Sequence, residues 1–482
     1  MPAPGLRALA VQPSASLWKR NASMSGAEAQ AGRFIDIGQI LDDGPWTTMQ
    51  KMVVILAALS IVADGFDGQL IGFAIPSLMK EWGVTRGDFA PVVAAGLVGM
   101  GIGSACAGLF ADHFGRRMAV IGSVFIFSLA TCLIGFSQNL WMIAALRFIA
   151  GLGIGGALPT STTMTAEFTP ARSRTLAITA TIVCVPLGGM LAGVFASFVL
   201  PSFGWRGLFW LGGLLPLALS VVLFLRLPES PRFLAHHHAR WPELIKQLGR
   251  MSRPVAAGTA FIDSREQEVS EDAGVRALFQ QGRARDTIAL WCACFMCLLA
   301  VYSAFSWLPT MLANEGLSAS VAGSGLTAYN LGGVCGALLC AVAITRYGSR
   351  WPLALCCAGG AASAFILQGV NPTESTNLLI FGLGVHGLFV TTVQCIMYSL
   401  CAHVYPTNIR ATGTAATLAF GRLGAILSAF AGAAVITAGG ASGYLTMLGL
   451  AMVCVLIALW MVRHQIPPVR AVAGSIQATA RS

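Results

Sequence analysis

Twelve apolar stretches follow one another along the 482 residues of this chain. Each is close to the roughly 20 residues that a helix needs to cross the hydrocarbon core of a bilayer. Because lipid supplies no partner for an open backbone amide, each stretch is predicted to form an α-helix. The chain is therefore predicted to be an all-α, multi-pass membrane protein with spans at 52–76, 89–111, 118–136, 141–166, 175–200, 206–227, 287–312, 321–344, 351–370, 376–403, 409–438 and 443–462.

The low charge of the sequence excludes the common soluble classes of protein. Only 10% of the residues are Asp, Glu, Lys or Arg and 56% are apolar, whereas soluble domains carry about 25% charged residues. The 13 cysteines mostly stand singly inside apolar stretches, without nearby His, Asp or Glu at ligand spacing. We therefore expect the cysteines to pack between helices, and we expect neither a metal site nor a cofactor.

The positions of the basic residues indicate the orientation of the chain in the membrane. If the N-terminus is cytoplasmic, 25 of the 30 Lys and Arg lie in cytoplasmic loops and tails, three lie on the outer side and two lie inside spans. This distribution fits the rule that cytoplasmic loops are rich in Lys and Arg. Both termini are thus predicted to be cytoplasmic, and the net charge of +10 is explained without a nucleic-acid partner.

Composition divides the chain into five segments. A tail rich in Ala, Ser and Gly covers residues 1–45, and a polar segment of mixed charge covers residues 228–286. The apolar stretches fall into two groups of six, which predict helix bundles over 46–227 and 287–465. The polar segment is predicted to be a cytoplasmic linker between the bundles, and residues 466–482 are predicted to form a cytoplasmic C-terminal tail.

The two bundles contain similar loops at a nearly constant offset. The loop after the second span has Gly115 where the loop after the eighth span has Gly348. Pro170, followed four residues later by an arginine, is repeated as Pro406 at almost the same interval. Two loops repeated at nearly one spacing predict a duplicated six-helix unit. Transporters use such repeats to expose a central site to each side of the membrane in turn.

Three stretches in the first half of the chain resemble signatures of the major facilitator superfamily. They are the loop with Gly108, Asp112, Gly115, Arg116 and Arg117, the fourth-span stretch from Arg147 to Gly156, and the stretch Pro228-Glu-Ser-Pro-Arg232. The resemblance implies the major facilitator fold, in which twelve transmembrane helices form two pseudo-repeated six-helix bundles. It also implies a transporter rather than an enzyme.

Further stretches resemble the aromatic acid:proton symporter family, which imports benzoate-type and hydroxybenzoate-type acids into bacteria. These are Asp64-Gly-Phe-Asp67, Trp307-Leu-Pro-Thr310, Tyr405 to Gly413, and Gly421-Arg422-Leu-Gly424. The resemblance covers about residues 50–465 and implies import of an aromatic carboxylate with a proton, by alternating access, in the catabolism of aromatic hydrocarbons. It also implies a place in the bacterial inner membrane, and we expect the protein to function as a monomer.

Two positions depart from the pattern of that family. Thr345 replaces the acidic residue that is usual in the second-half loop. Tyr398 stands where relatives often carry Asn, close to Gln394, which does match. The ring substitution of the substrate therefore stays open, and a carrier of another organic acid or of a sugar is the alternative.

Charged side chains inside the spans are candidates for function, because each costs about 2.5–3.5 kcal/mol at the bilayer centre. Asp64 and Asp67 share a helix face in the first span, and Arg147 in the fourth span lies at a similar depth. One aspartate is predicted to bind and release the proton. The alternative is a static Asp67–Arg147 ion pair that orients two helices. His386 in the tenth span is either a proton relay or a neutral buried histidine.

Arg422 is the first choice for the group that binds the substrate anion. It follows Arg410 by several helical turns, which places it near mid-membrane depth, and a guanidinium binds a carboxylate through two parallel hydrogen bonds. The alternative is a structural partner for an acidic side chain. Arg147 and Gln394 are further candidates for contacts with the substrate. Flat walls for an aromatic ring are expected from Phe305, Trp307, Tyr329, Phe389 and Tyr398.

The cytoplasmic helix ends are predicted to hold a gate. The residues assigned to it are Gly108, Asp112, Gly115, Arg116, Arg117, Glu167 and Arg410. The charged latch at Asp112 is expected to support conformational change without forming the binding pocket. Glycines at small-xxx-small spacing are expected to let helices approach closely; they are Gly99, Gly103, Gly151 and Gly155.

A proton is expected as the co-substrate on energetic grounds. Import of one carboxylate into a cell that is electrically negative inside costs about 2.3 kcal/mol per 100 mV. One proton imported with it cancels the charge movement and leaves the pH gradient as the driving force. The sequence contains no Walker-type phosphate loop, so ATP is not expected to be the energy source.

Overall fold

The chain is helical throughout most of the residues that the computed structural model describes, which are 34–256, 258–263, 275–280, 282–372, 374–406 and 409–468. The outer parts of both predicted tails, 1–33 and 469–482, lie outside the described residues. The α-helices are α1 (Ile37–Asp43), α2 (Thr48–Trp82), α3 (Arg86–Phe114), α4 (Arg116–Ile134), α5 (Leu140–Phe168), α6 (Ala171–Arg226), α7 (Pro231–His236), α8 (Trp241–Arg250), α9 (Ala284–Asn314), α10 (Ala319–Tyr347), α11 (Arg350–Leu367), α12 (Thr376–Val404) and α13 (Arg410–Met461), with short 3-10 helices at His238–Arg240 and Val275–Phe279.

Among the described residues, ten helices are long and apolar enough to cross a membrane, and two of the ten contain two spans each. Helix α6 has 56 residues and α13 has 52. Each is interrupted by one non-helical glycine, Gly204 (φ 63°, ψ −169°) and Gly440 (φ 58°, ψ −149°). Glycine adopts such a positive φ without the steric penalty of a Cβ. The twelve predicted spans are therefore confirmed, and the two breaks are separated by the same interval as the repeated Pro170 and Pro406.

The packing of the helices follows the predicted duplication. Helices α2 to α6 form one bundle, in which α2 packs on α6 and α3 on α5. Helices α9 to α13 form the other, in which the equivalent pairs are α9 with α13 and α10 with α12. The bundles meet through α6 with α10, α3 with α13, and α2 with α9. Helices α2 to α6 correspond in order to α9 to α13, so the contact of α6 with α10 corresponds to that of α13 with α3, and α2 with α9 corresponds to itself. This is the pattern expected for two halves related by a pseudo-two-fold axis.

Close approach of α3 and α5 depends on the glycines that the spacing indicated. A Cβ at Gly99 would lie 2.2 Å from Phe148 O, and a Cβ at Gly155 would lie 2.1 Å from Met100 O. Real side chains do not tolerate such distances to a backbone carbonyl, so the prediction of close packing is confirmed. The contact fixes α3 beside α5 and thereby positions Met100 and Arg147 on neighbouring helices.

A small cap lies against one end of the first bundle. Strand β1 (Phe34–Asp36) pairs in parallel with β2 (Ala260–Ile262), with Phe34 opposite Ala260. Helix α1 follows β1 directly, buries Ile37, and is held to α6 by an ion pair between Asp42 and Arg174. The described part of the predicted tail and the first part of the predicted linker are thus folded onto this bundle, whereas the linker segment Val275–Phe279 packs on α9 and α13 of the other bundle. Strands of three residues carry too little pattern to be predicted from the sequence.

Candidate functional site

A cavity lies where the two bundles meet. Both bundles line it. The first contributes Asp64, Gly68, Gln69, Met100, Arg147, Leu158 and Pro186, and the second contributes Tyr302, Phe305, Ser306, Gln394, Cys395, Tyr398 and Arg422. Six of the residues predicted for proton coupling or for contacts with the substrate are therefore brought together here, namely Asp64, Arg147, Phe305, Gln394, Tyr398 and Arg422.

Arg422 is the cation that the second bundle presents to the cavity. Its Nη1 donates hydrogen bonds to Tyr302 OH at 2.7 Å and to Met100 Sδ at 2.6 Å. Its guanidinium carbon lies 5.7 Å from the centre of the Tyr302 ring. Within the described residues both hydrogen bonds of the guanidinium use Nη1, so Nε and Nη2 remain for a ligand. Two free N–H groups in a fixed plane match the two oxygens of a carboxylate.

Asp64 is the carboxylate that the first bundle presents to the cavity. It is only 7% exposed, and within the described part of the chain its Oδ1 has no hydrogen-bond partner. Arg422 is close enough to interact with it electrostatically. A buried carboxylate without a full set of partners is costly to keep charged, so this oxygen is available to a proton or a ligand.

Asp67 and Arg147 form the pair that the sequence suggested, but at long range. Arg147 Nη1 lies 3.9 Å from Asp67 Oδ2, and Asp67 is fully buried. Arg147 also donates to the backbone oxygens of Asp67 and Gly68, each at 3.5 Å. Arg147 lines the cavity, whereas Asp67 lies behind it between the helices of the first bundle. The roles of both residues stay predictions.

Two other predicted site residues lie inside the second bundle and do not line the cavity. His386 is 1% exposed, and its Nδ1 is 2.9 Å from Ser363 Oγ. Its ring centre lies 5.9 Å from that of Tyr329. Trp307 is fully buried, and a Cβ at Gly432 would lie 2.5 Å from its ring. Residue type suggested both, but neither side chain faces the space between the bundles.

The predicted gating residues of the first bundle form one cluster at the ends of α3, α4 and α5. Arg116 forms an ion pair with Asp112, and its Nε lies 3.7 Å from Glu167 Oε1. Glu167 also accepts a hydrogen bond from Ser230 Oγ. A single carboxylate thus joins the α3–α4 loop to the start of α7.

The turn between α3 and α4 is closed by a second carboxylate, that of Glu229. It accepts a hydrogen bond from the backbone N–H of Arg117 at 3.0 Å. Gly115, at φ 99°, leaves the space for it, since a Cβ there would lie 2.2 Å from Glu229 Oε2. Glu229 and Ser230 thus link the Pro228–Arg232 stretch to the loop signature, a contact that separate motifs do not reveal.

The other two predicted gating residues lie apart from this cluster. Arg410 Nε donates to Tyr405 O at 3.3 Å in the second bundle. Its counterpart Arg174 donates to Ala166 O at 2.9 Å in the first. A Cβ at Gly108 would meet nothing within 4 Å, so the space around this glycine does not require it.

Comparison with known proteins decides the family. The profile of the family described as "Sugar (and other) transporter" matches residues 53–465. The chain belongs to this transporter family.

Relatives and solved structures agree with this assignment. The gallate transporter of Pseudomonas putida is 36% identical over 86% of this chain and 92% of its own length. The 4-hydroxybenzoate transporter of Pseudomonas aeruginosa is 34% identical over 86% of this chain and 93% of its own. Among solved structures, this chain is similar to the xylose transporter XylE from E. coli in a partially occluded inward-open conformation. The TM-score is 0.68 at 18% identity, and the alignment covers 87% of this chain and 99% of the XylE chain.

These matches confirm several predictions from the sequence. The fold is that of the major facilitator superfamily, and the resemblance to aromatic acid transporters is borne out by curated relatives over most of the chain. As a member of the sugar (and other) transporter family, the protein is a multi-pass membrane transporter and not an enzyme.

Sequence reasoning missed several residues of the transporter's cavity. Tyr302 and Met100 bind Arg422, and Gln69 and Ser306 contribute polar groups to the wall. All four are uncharged, so none stands out in an apolar span. Gln69 lies five residues after Asp64, so the two are on different sides of the helix and the three- or four-residue spacing of a shared face gave no signal for it.

Proposed function

We propose that the protein imports aromatic carboxylates of the benzoate and hydroxybenzoate type together with a proton, by alternating access. One observation carries the proposal. A guanidinium from one bundle and a carboxylate from the other, Arg422 and Asp64, line the same cavity inside an otherwise apolar membrane protein. The names of the gallate and 4-hydroxybenzoate transporters among the relatives support the substrate class.

The substrate carboxylate is proposed to bind the free N–H groups of Arg422. Tyr302 OH accepts from Arg422 and donates to Met100 Sδ at 3.4 Å. A carboxylate is a stronger acceptor than a thioether sulfur, so the substrate is proposed to take over this donated proton. Phe305 and Tyr398 offer apolar and aromatic surface to the ring, and Gln394 offers an amide to a ring hydroxyl.

Asp64 is proposed to carry the proton. Arg422 is the cation whose charge acts on Asp64, and that charge offsets part of the cost of keeping the buried carboxylate ionised. A bound substrate carboxylate neutralises Arg422, so Asp64 loses its counter-charge and takes up a proton. Substrate and proton therefore enter together. Asp67, next to Arg147, is proposed as the second carboxylate of this coupling, and His386 as a relay only within the second bundle.

The direction of transport is proposed to follow from the proton gradient, and the orientation of the chain is proposed separately from its loops. Both termini are proposed to lie in the cytoplasm of a bacterium, with the protein in its inner membrane, because Lys and Arg are concentrated in the loops of one side. Acid outside the cell then drives the substrate inward, and a single copy of the chain contains the whole cavity.

Accumulation of labelled gallate or 4-hydroxybenzoate in proteoliposomes tests the proposal. We expect uptake above the equilibrium level when the outside is acidic, because the proton gradient is then the driving force. A protonophore should remove the accumulation, and labelled xylose should not accumulate. Failure of every aromatic acid to accumulate under this gradient would exclude the proposed function, and accumulation of xylose would support a sugar carrier instead.

The cluster of Asp112, Arg116 and Glu167 is proposed to act in gating. Asp112→Asn removes one ion pair at the helix ends and touches no residue of the cavity. We expect the maximal rate of gallate uptake to fall by about two- to fivefold with KM unchanged, because a partly exposed ion pair contributes at most about 1 kcal/mol. Initial rates over a range of gallate concentrations measure both parameters.

A matched control comes from the linker. Glu243→Gln breaks an exposed ion pair with Arg240, at 2.8 Å, outside the gating cluster, and we expect normal rates. A rise in KM at an unchanged maximal rate for Asp112→Asn would show that this residue acts on binding and would contradict a gating role.

A further inference from the structure

A pair of buried carboxamides joins the two bundles beside the cavity. Gln69 Nε2 donates to Asn330 Oδ1 at 3.1 Å, and Asn330 Nδ2 donates to Gln69 Oε1 at 2.7 Å. Gln69 is 2% exposed and Asn330 is fully buried. Because Gln69 belongs to the first bundle and Asn330 to the second, the pair crosses the interface that alternating access must open and close.

The pair borders a region where the bundles pack without space. A Cβ at Gly72, one turn beyond Gln69 along α2, would lie 2.2 Å from Phe305 O on α9. A Cβ at Gly193 on α6 would lie 1.9 Å from Thr327 Oγ1 on α10. These contacts lie toward the end of the bundles where α2 gives way to α3, here called the outer end. Gln69 also lines the cavity, so one side chain contacts both the cavity and the closed interface.

A glycine of α6 provides the space for the Gln69 side chain. A Cβ at Gly189 would lie 2.0 Å from Gln69 Nε2. The preceding Gly188 lets α6 approach α2 closely, because a Cβ added there would lie 2.1 Å from Val62 O. The stretch Val185-Pro-Leu-Gly-Gly189 therefore holds the carboxamide in place.

The two carboxamides differ in what they have left to bond. A carboxamide has two N–H donors and two acceptor lone pairs. Asn330 uses its remaining N–H on Leu326 O at 3.0 Å, which fixes it to α10. Among the described residues Gln69 bonds only to Asn330, so it retains one N–H and one lone pair. A ligand in the cavity can bond to these without breaking the pair.

We propose that Gln69 is a positioning residue that couples occupancy of the cavity to closure of the outer end, through its pair with Asn330. Opening of the outer end separates α2 from α10 and exchanges the two hydrogen bonds of the pair for bonds to water, which is unfavourable because a protein hydrogen bond is on balance stabilising. A ligand bonded to Gln69 orients its carboxamide for the pair and so favours closure. Only the identity of the ligand rests on the proposed function, and the pair itself is tested without any ligand.

Hydrogen–deuterium exchange of the full-length protein in lipid nanodiscs tests the pair. Gln69→Leu and Asn330→Leu each remove it with little change in volume. We expect backbone amides at the outer ends of α2 and α10 to exchange about tenfold faster in both variants, because two buried hydrogen bonds are lost. The double variant is expected to resemble each single one, because the two residues act as a unit.

Three further variants separate the pair from general damage. Gln368→Leu removes a carboxamide that donates to Thr446 at 3.0 Å and accepts from Ser442 at 3.4 Å, both within the second bundle, and we expect unchanged exchange at α2. Gln69→Asn combined with Asn330→Gln keeps two carboxamides of the same total length and is expected to restore slow exchange. Gly189→Ala displaces the Gln69 carboxamide without removing a polar group and is expected to reproduce the fast exchange.

Unchanged exchange in both single leucine variants, or an equal rise in Gln368→Leu, would overturn the proposal. If a leucine variant does not fold, Gly189→Ala and the combined variant Gln69→Asn, Asn330→Gln still test the proposal.

Gallate tests the coupling to the cavity. In the wild-type protein we expect gallate to slow exchange at the outer end, and in Asn330→Leu we expect gallate to bind in calorimetry without slowing it. Equal slowing in both would show that Gln69 transmits nothing through Asn330. Absence of gallate binding to the wild-type protein would contradict the proposed function, while the ligand-free comparison would still decide whether the pair closes the outer end.

Discussion

Arg422→Ala is expected to lower the affinity of the protein for gallate by at least a hundredfold. The substitution removes the two N–H groups that are free to bind a carboxylate and, among the described residues, the only cation that the second bundle presents to the cavity. Hydrogen bonds to charged groups contribute about 1.5–3 kcal/mol each, and about 1.4 kcal/mol corresponds to a tenfold change in affinity. Isothermal titration calorimetry of the purified protein measures the change.

Two milder variants separate the charge of Arg422 from its geometry. Arg422→Lys keeps the charge and loses the planar fork, so we expect about a tenfold loss of affinity. Tyr302→Phe removes one hydroxyl from the guanidinium and is expected to weaken binding by a few-fold. Unchanged affinity of Arg422→Ala, with normal thermal stability, would show that Arg422 is a structural partner of Asp64 and not the anion site.

The fold could be predicted because few backbone structures are stable inside a lipid bilayer. An apolar stretch in lipid must satisfy its backbone internally, so length and hydropathy alone determine spans. The joints at Gly204 and Gly440 were predicted as loops between spans, and they are single left-handed glycines inside continuous helical segments. Hydropathy cannot distinguish a loop from a glycine break within a helix, because each of them separates two apolar stretches.

The candidate site was predictable where it carries charge and, for Gln394 and Tyr398, where the family resemblance and the need for an aromatic wall drew attention to uncharged residues. Asp64, Arg147 and Arg422 stand out because charges inside spans are rare and expensive, and all three line the cavity. Trp307 was expected to contact the substrate, and His386 was left as either a proton relay or a neutral buried histidine; both lie inside the second bundle. Their helices are apolar on nearly every face, so periodicity does not indicate which face meets the cavity.

Contacts between distant residues were beyond the sequence. Gln69 and Asn330 are 261 residues apart, and their pairing requires knowledge of how the bundles face each other. Gln69 and Tyr302 are separated by the same interval as Gly115 and Gly348, which places them at equivalent positions of the two halves.

The two equivalent residues both reach across the interface, but they bind different partners there. Gln69 reaches α10 and forms the carboxamide pair with Asn330. Tyr302 reaches α3, with its hydroxyl 3.4 Å from Met100 Sδ, and binds Arg422. One position of the repeat thus contributes to closure in the first half and to the anion site in the second. A duplicated scaffold makes both positions face the cavity, and the side chain at each determines what it does there.

Asp64→Asn is expected to abolish gallate accumulation driven by acid outside and to leave exchange of gallate across the membrane intact. Asparagine has nearly the shape and hydrogen-bonding capacity of a neutral carboxyl group but cannot release a proton. The loaded protein can therefore still reorient, whereas net import requires the proton to leave in the cytoplasm before the empty protein returns. Proteoliposomes measure accumulation under a pH gradient, and counterflow into vesicles preloaded with unlabelled gallate measures exchange.

Asp88→Asn is the matched control, because Asp88 lies exposed in the first turn of α3, bonded to Thr85 and away from the cavity. We expect it to leave both accumulation and counterflow unchanged. Loss of both activities in Asp64→Asn would instead indicate that Asp64 binds the substrate or supports the fold. Undiminished accumulation when Asp64 and Asp67 are both replaced by Asn would show that neither carboxylate carries the proton, and the coupling proposed here would be wrong.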